Sequence, residues 1–203
     1  MRDESKAERQ REIEAVAYRL IRDRGYGGVS MLAIAKEAKA SNETLYRWYG
    51  NKRGLLTAMV ERNAQATADM LRAAIEDGAD AIATLERIAP ILLSMLLGEK
   101  AILLNRAAAS DETGELGAAI NLAGRSAVFP LIETLIAGGM ATGGRDAPSA
   151  RVATEWFLCL LIGDQQIRRV TRALEQPSEV EIGVRVASAL SAFRKLCGPS
   201  ALV

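Results

Sequence analysis

Asn42, Glu43, Thr44 and Arg47 stand close together in the stretch SNETLYRWYGNK, residues 41–52. Their side chains form a set of hydrogen-bonding groups that matches the edges of nucleic-acid bases. A guanidinium suits guanine, a carboxamide adenine, a carboxylate the amino group of cytosine, and a hydroxyl either a base or a phosphate. Tyr46, in the same stretch, offers a hydroxyl for a phosphate and a ring for a thymine methyl. Tyr46, Trp48 and Tyr49 are three of the nine aromatics in a chain of 203 residues. The segment is therefore singled out by composition as well as by chemistry.

Such a set can read a surface only if a rigid element presents it. On a helical wheel, Ser41, Trp48 and Tyr49 fall within about 60° of Leu45, toward a core. Glu43 and Arg47 point away, and Thr44 and Tyr46 take the two flanks. Ser41 can cap this helix, and Ser30 can cap a shorter one before it. The shorter helix has Met31, Ile34, Ala35 and Ala38 on its buried face and ends near Lys39 and Ala40. Upstream, Ile13, Val16, Ala17, Leu20 and Ile21 repeat at i, i+3, i+4, i+7, i+8, which predicts an amphipathic helix over residues 6–24 stopped by Gly25. Downstream, Asn51 can cap a helix over residues 51–77 whose stripe is Leu55, Leu56, Met59, Val60, Met70 and Leu71. At about 38 Å that helix is long enough to connect two domains.

Two short helices across a tight turn, the second exposing polar and basic groups, form a helix-turn-helix. Free N–H groups at the helix starts make Ser30 and Ser41 candidate phosphate anchors. Lys52, Lys39 and Arg53 are further phosphate candidates. Against these stand plainer roles. Glu43 and Arg47 form an i, i+4 pair that can bridge on a solvated face, worth about 0.2–0.5 kcal/mol. Tyr49 leans toward the core, and Trp48 can serve either purpose.

The run GYGGVSMLAIAKEAKASNETLYRWYGNKRGLL resembles the DNA-binding segment of the TetR family of bacterial regulators. Gly25, Ser30, Ile34, Ala35, Ala38, Ser41, Thr44, Leu45, Tyr46, Trp48, Tyr49, Lys52, Leu55 and Leu56 match that family's pattern in order and spacing. Two positions depart: Lys39 stands where the family usually has Gly, and Glu43 where a small residue is usual. Either Lys39 adopts positive φ at some cost or the turn differs. The resemblance implies an all-α protein, with a three-helix DNA-binding domain at residues 1–53 and a helical ligand-binding and dimerisation domain at 54–203. It implies a transcriptional regulator, expected to be a repressor, that binds a palindromic double-stranded DNA operator as a homodimer and answers to a small-molecule effector.

Composition agrees with this and removes competitors. Apolar residues at 49% and charged residues at 25% are ordinary for a folded chain. The net charge is only +1, yet the first 53 residues hold twelve Lys and Arg against eight Asp and Glu. The absence of His removes His-based catalytic dyads and triads and the commonest zinc ligand. Cys159 and Cys197 lie far apart, so no CxxC motif exists, and two lone thiols fit a reducing cytoplasm. No signal peptide is expected, nor an uncharged apolar run of the roughly 18 residues that span a membrane. No enzyme activity, cofactor or metal is implied. The alternatives are a helical ligand carrier and an adaptor that has lost DNA binding.

The remainder is helical in pattern over residues 79–97, 99–109, 112–140, 148–175 and 179–196, with Pro90 and Pro130 as kinks or breaks and a Gly-rich loop at 138–149. By the resemblance, the last two helices dimerise, and Trp156, Phe157, Leu160, Leu161, Val184, Val186, Leu190 and Phe193 are the candidates for that interface. Monomer core is the competing role for them. Candidate pocket residues are Met59, Met70, Met95, Met140, Asn105, Arg106, Asn121, Arg125 and Phe129, which combine adaptable apolar lining with a few polar groups.

Overall fold

The structure is a computed structural model and describes residues 2–139 and 148–197, with side chains from residue 5 onward. No strand occurs among the described residues, as an all-α chain requires. The helices are α1 (Arg2–Arg24), α2 (Met31–Glu37), α3 (Asn42–Tyr49), α4 (Lys52–Glu76), α5 (Ala81–Leu97) and α6 (Glu99–Ala109). After them come α7 (Glu115–Ile120), α8 (Ser126–Gly139), α9 (Ala150–Ile162), α10 (Gln165–Val170) and α11 (Glu179–Cys197). A π-helical turn, Asn121–Arg125, joins α7 to α8. Met140 and most of the expected Gly-rich loop lie outside the described residues.

The chain divides into two compact units, the first running to Arg62 and including Leu103–Ala123, the second comprising Asn63–Ile102 and the chain from Gly124. The sequence placed a single boundary after Arg53. The difference has a packing cause: Leu104, Ala107, Leu116 and Ala123 are buried in the same cluster as Ile13, Leu45, Leu55, Leu56 and Met59. Within the first unit, Gly25 ends α1 at φ 71°, in the left-handed conformation that a helix stop favours.

The second unit is built on α5, α8, α9 and α11, whose buried residues form one continuous cluster. Phe157 and Phe193 meet edge to face at its centre with ring centroids 5.6 Å apart. Phe157, Leu161, Val186, Leu190 and Phe193, candidates for either a dimer interface or the monomer core, are all buried in the single chain. Leu160 is half-buried, and Trp156 and Val184 remain exposed.

The long helix expected over 148–175 is broken. Gly163 sits at φ 54°, and a Cβ there would lie 2.6 Å from Arg185 Nη2. The Arg185 Nε–H donates to the Leu161 carbonyl at 3.0 Å, closing the end of α9. Pro90 and Pro130 lie inside α5 and α8 without ending them. One run, Glu115–Gly139, reaches a mean hydropathy of 1.2 over 18 residues and is long and apolar enough to cross a membrane. Arg125 and Glu133 interrupt it, so the expectation of no such stretch holds for uncharged runs alone.

Arg169 ties α10 to the end of α5. Its buried guanidinium donates to the Leu97 carbonyl at 3.0 Å and to Glu99 Oε1 at 2.5 Å, while Gln166 donates to the Leu96 carbonyl at 3.1 Å. These are the carbonyls that a helix end leaves without partners. Arg169→Ala should lower stability by about 2–4 kcal/mol in urea unfolding, because it strands a buried acceptor and removes a buried cation. Arg169→Lys should recover little of the loss, since one ammonium cannot reproduce the fork.

Candidate nucleic-acid interface

The turn between α2 and α3 fixes how the second helix is presented. Ser30 caps α2, its Oγ accepting from the Ala33 N–H at 3.1 Å. At the other end of α2, the Ala40 N–H reaches the Ala35 carbonyl at 2.9 Å, the six-to-one bond of a Schellman stop. That motif needs a left-handed residue, and Lys39 supplies it at φ 51°. Of the two possibilities open at this departure from the family pattern, the chain takes positive φ. Arg9 secures the turn from α1, its Nη2 donating to the Ala38 and Lys39 carbonyls at 2.8 Å each. Nothing in the local sequence signalled that contact, which spans about thirty residues.

Ser41 caps α3 by accepting from the Thr44 N–H at 3.0 Å, and its Oγ also lies 2.8 Å from the Thr44 hydroxyl. Thr44 is consequently half-buried and engaged, whereas Asn42, Glu43, Tyr46 and Arg47 are exposed. Leu45 is fully buried. The Glu43 and Arg47 side chains approach no closer than 3.9 Å, with 86% and 62% of their surface open. A pair so long and so wet contributes little and parts readily.

The inner side of α3 is held by a buried carboxylate. Glu14 of α1 is 3% exposed, accepts from Arg62 Nε at 2.6 Å, and lies 3.5 Å from the Tyr49 hydroxyl. Burial and the Glu14 charge push the Tyr49 phenol well above its ordinary pKa. Tyr49 thus packs inward, as its place on the wheel predicts. Trp48 is half-buried, edge-on to Tyr49, with the Lys6 ammonium 5.9 Å from its ring centre. Glu14 was missed in the sequence; its signal was a carboxylate between Ile13 and Ala17 on the apolar side of α1.

Lys52 is committed within the chain. Its ammonium donates to the Tyr26 and Val29 carbonyls at 2.8 and 2.9 Å and lies 3.8 Å from the Tyr26 ring centre. Burial lowers its pKa, an effect that Asp111 partly offsets. A phosphate contact from Lys52 would have to use its third N–H. Arg53 is likewise paired, with Glu115 at 2.5 Å.

With this geometry in view, comparison with known proteins is decisive. The family model for bacterial regulatory proteins of the tetR family matches residues 13–59, and that for the C-terminal domain of AefR-like transcriptional repressors matches residues 83–196. The chain belongs to the TetR family of transcriptional regulators. Its similarity to solved structures extends over nearly the whole chain. A protein described as a TetR-family regulator from Mesorhizobium loti superposes with a TM-score of 0.72 at 22% identity, covering 94% of this chain and 96% of that one. A TetR regulator from Agrobacterium tumefaciens gives 0.68 at 26%, covering 93% of each. FadR from Bacillus subtilis, solved with stearoyl-CoA, gives 0.71 at 16%, covering 92% and 98%. No curated protein matches the chain significantly.

For a TetR-family regulator the helix-turn-helix is the DNA-binding element, and the chain is a regulator rather than an enzyme. The expected effector residues are divided between the two units. Met59 is buried in the core of the first unit, and Asn105, Arg106 and Asn121 also belong to that unit. Met70, Met95, Arg125 and Phe129 belong to the second, where the Arg125 guanidinium lies over the Phe129 ring at 4.9 Å. A cavity of about 210 Å³ opens in the second unit among Ala74, Ile75, Asp80, Thr134, Leu135 and Gly138. None of the expected residues lines it, because they were chosen by residue type, whereas the hollow forms where small residues leave space.

Lys39→Gly should raise stability by about 0.5–1 kcal/mol in urea unfolding, since Gly adopts the left-handed turn without steric cost. Lys39→Val should lower it by more than that gain, because a β-branched side chain tolerates positive φ worst.

Proposed function

We propose that this TetR-family regulator is a homodimeric repressor that grips a palindromic operator through residues 41–52 and releases it when a small molecule binds. In this reading the DNA-binding domain is residues 1–53, α4 is the connector, the rest of the chain serves ligand binding and dimerisation, and the protein works in the cytoplasm. The observation that carries it is the outer face of α3. Asn42, Glu43, Tyr46 and Arg47 are solvent-exposed on a helix capped at Ser41 and nailed at Leu45 and Tyr49. A polar face so presented suits the major groove, where Arg47 reads guanine, Asn42 adenine and Glu43 the cytosine amino group. Ser41 and the free N–H groups behind it face phosphate, with Lys39 beside them and Lys52 through its spare donor.

The dimer rests on the apolar surface left on α9 and α11. Trp156, Val180 and Val184 are 36, 75 and 67% exposed, and Leu160 is half-buried beside them. Two copies meeting there would form a four-helix contact. Two reading heads about 34 Å apart then enter successive major grooves. An effector that favours a different head spacing by about 100-fold in affinity is enough to release DNA. FadR, solved with stearoyl-CoA, shares the fold, so acyl-CoAs belong in any first effector panel.

Selection from random DNA should enrich one inverted repeat, and its affinity should fall steeply with salt. Enrichment of no sequence, with salt-insensitive retention on heparin, would favour an adaptor that has lost DNA binding. Arg47→Ala should cost about 1–3 kcal/mol and relax preference at one base pair in each half-site. An unchanged preference would assign Arg47 to its pairing with Glu43. Val184→Arg should convert a dimer to a monomer in light scattering while leaving the melting of each subunit close to wild type, because Val184 is 67% exposed in the single chain.

A further inference from the structure

Among the described residues of α1 to α4, two large apolar side chains are left exposed: Tyr46, at 49%, and Leu32, at 65%. Tyr46 already has a role on the outer face of α3. Leu32 has none, and it sits on the short helix that precedes the turn.

The packing of α1 shows which way Leu32 faces. The buried side of α2 is Met31, Ile34, Ala35 and Ala38, and at 100° per residue Leu32 and Glu37 lie about 110° to either side of its centre. Glu37 is the flank that faces α1, since its carboxylate pairs with Arg19 of that helix at 2.9 Å. Leu32 is therefore on the flank α1 leaves open. The same test applied to α3 gives the same answer for Tyr46. Trp48, with Lys6 of α1 over its ring, takes one flank, and Tyr46 takes the other, about 80° from the buried centre. Each of the two exposed apolar side chains of the helix-turn-helix thus lies on the flank of its own helix that α1 leaves open.

An aliphatic side chain offers DNA neither a hydrogen bond nor a charge. The apolar group that a base presents in the major groove is the thymine C5-methyl. We propose that Leu32 is a specificity residue that reads a thymine methyl at one position in each half-site. This extends base reading from α3 to α2 and rests on the operator-binding function proposed above. Leu32 contributes there by excluding water from the methyl, so the cost of a wrong base is that of one unburied methyl group, about fourfold in affinity.

The test uses the full-length protein and the operator obtained by selection. Each thymine is replaced in turn by uracil, which removes the methyl and leaves the base pair otherwise intact. With the wild-type chain, uracil at one thymine in each half-site should weaken binding about fourfold. With Leu32→Ala, which is exposed and should melt like the wild type, the same replacement should cost less than about twofold while other positions keep their sensitivity. Uracil sensitivity that is the same at every position in Leu32→Ala and wild type would overturn the proposal and leave the operator-binding function standing. Sensitivity that persists in Leu32→Ala but vanishes in Tyr46→Ala would give the methyl to Tyr46 and also overturn it. Failure to select any operator would overturn both.

Discussion

A carboxylate buried against a guanidinium governs the first unit. Glu14 comes from α1, Arg62 from α4 and Tyr49 from α3, so one charged cluster joins three of the four helices around the reading surface. An ion pair in this position is a poor source of net stability, because desolvation consumes most of the Coulomb gain. Its contribution is positional. A helix of eight residues such as α3 does not hold together alone in water, and a hydrophobic contact at Leu45 would let it rotate. The hydroxyl of Tyr49 beside the carboxylate and the cap at Ser41 fix both ends, so the exposed side chains share one orientation.

The same logic explains the turn. A family pattern with Gly before α3 is replaced here by Lys39 in a strained left-handed conformation. The strain persists because the Schellman bond from Ala40 and the two donations from Arg9 over-determine the backbone. Lys52 serves a comparable purpose on the other side, fastening the carbonyls of the loop after α1 to the start of α4. Much of the basic surplus in this region is thus spent on holding backbone in place, and the groups left for DNA are fewer than the count of Lys and Arg implies.

In the second unit the division of labour is between two sides of the same helices. Phe157, Leu161, Val186, Leu190 and Phe193 fill the core, and the narrower set of Trp156, Val180 and Val184 stays in water. Hydrophobic periodicity reports that a residue avoids water, and it does not say whether its own chain or a second one does the covering. Burial in the folded chain is what separates the two.

The sequence by itself determined the class of the fold, the existence and order of the helix-turn-helix, the caps at Ser30 and Ser41 and the outward set on α3. All of these depend on local spacing, and 3.6-residue periodicity and capping chemistry act within a single turn or two. Tertiary structure alone decided the rest. It buried Glu14 against Arg62, closed the turn with Arg9, engaged Lys52 and Arg53 within the chain, and brought Leu104, Ala107 and Leu116 into the first core. It also broke the helix at Gly163, where the guanidinium of Arg185 comes within 2.6 Å of where a Cβ would stand. These contacts join residues about twenty to more than sixty positions apart, and no local pattern carries that information. A charged side chain that binds a distant carbonyl reads in sequence the same as one that binds water.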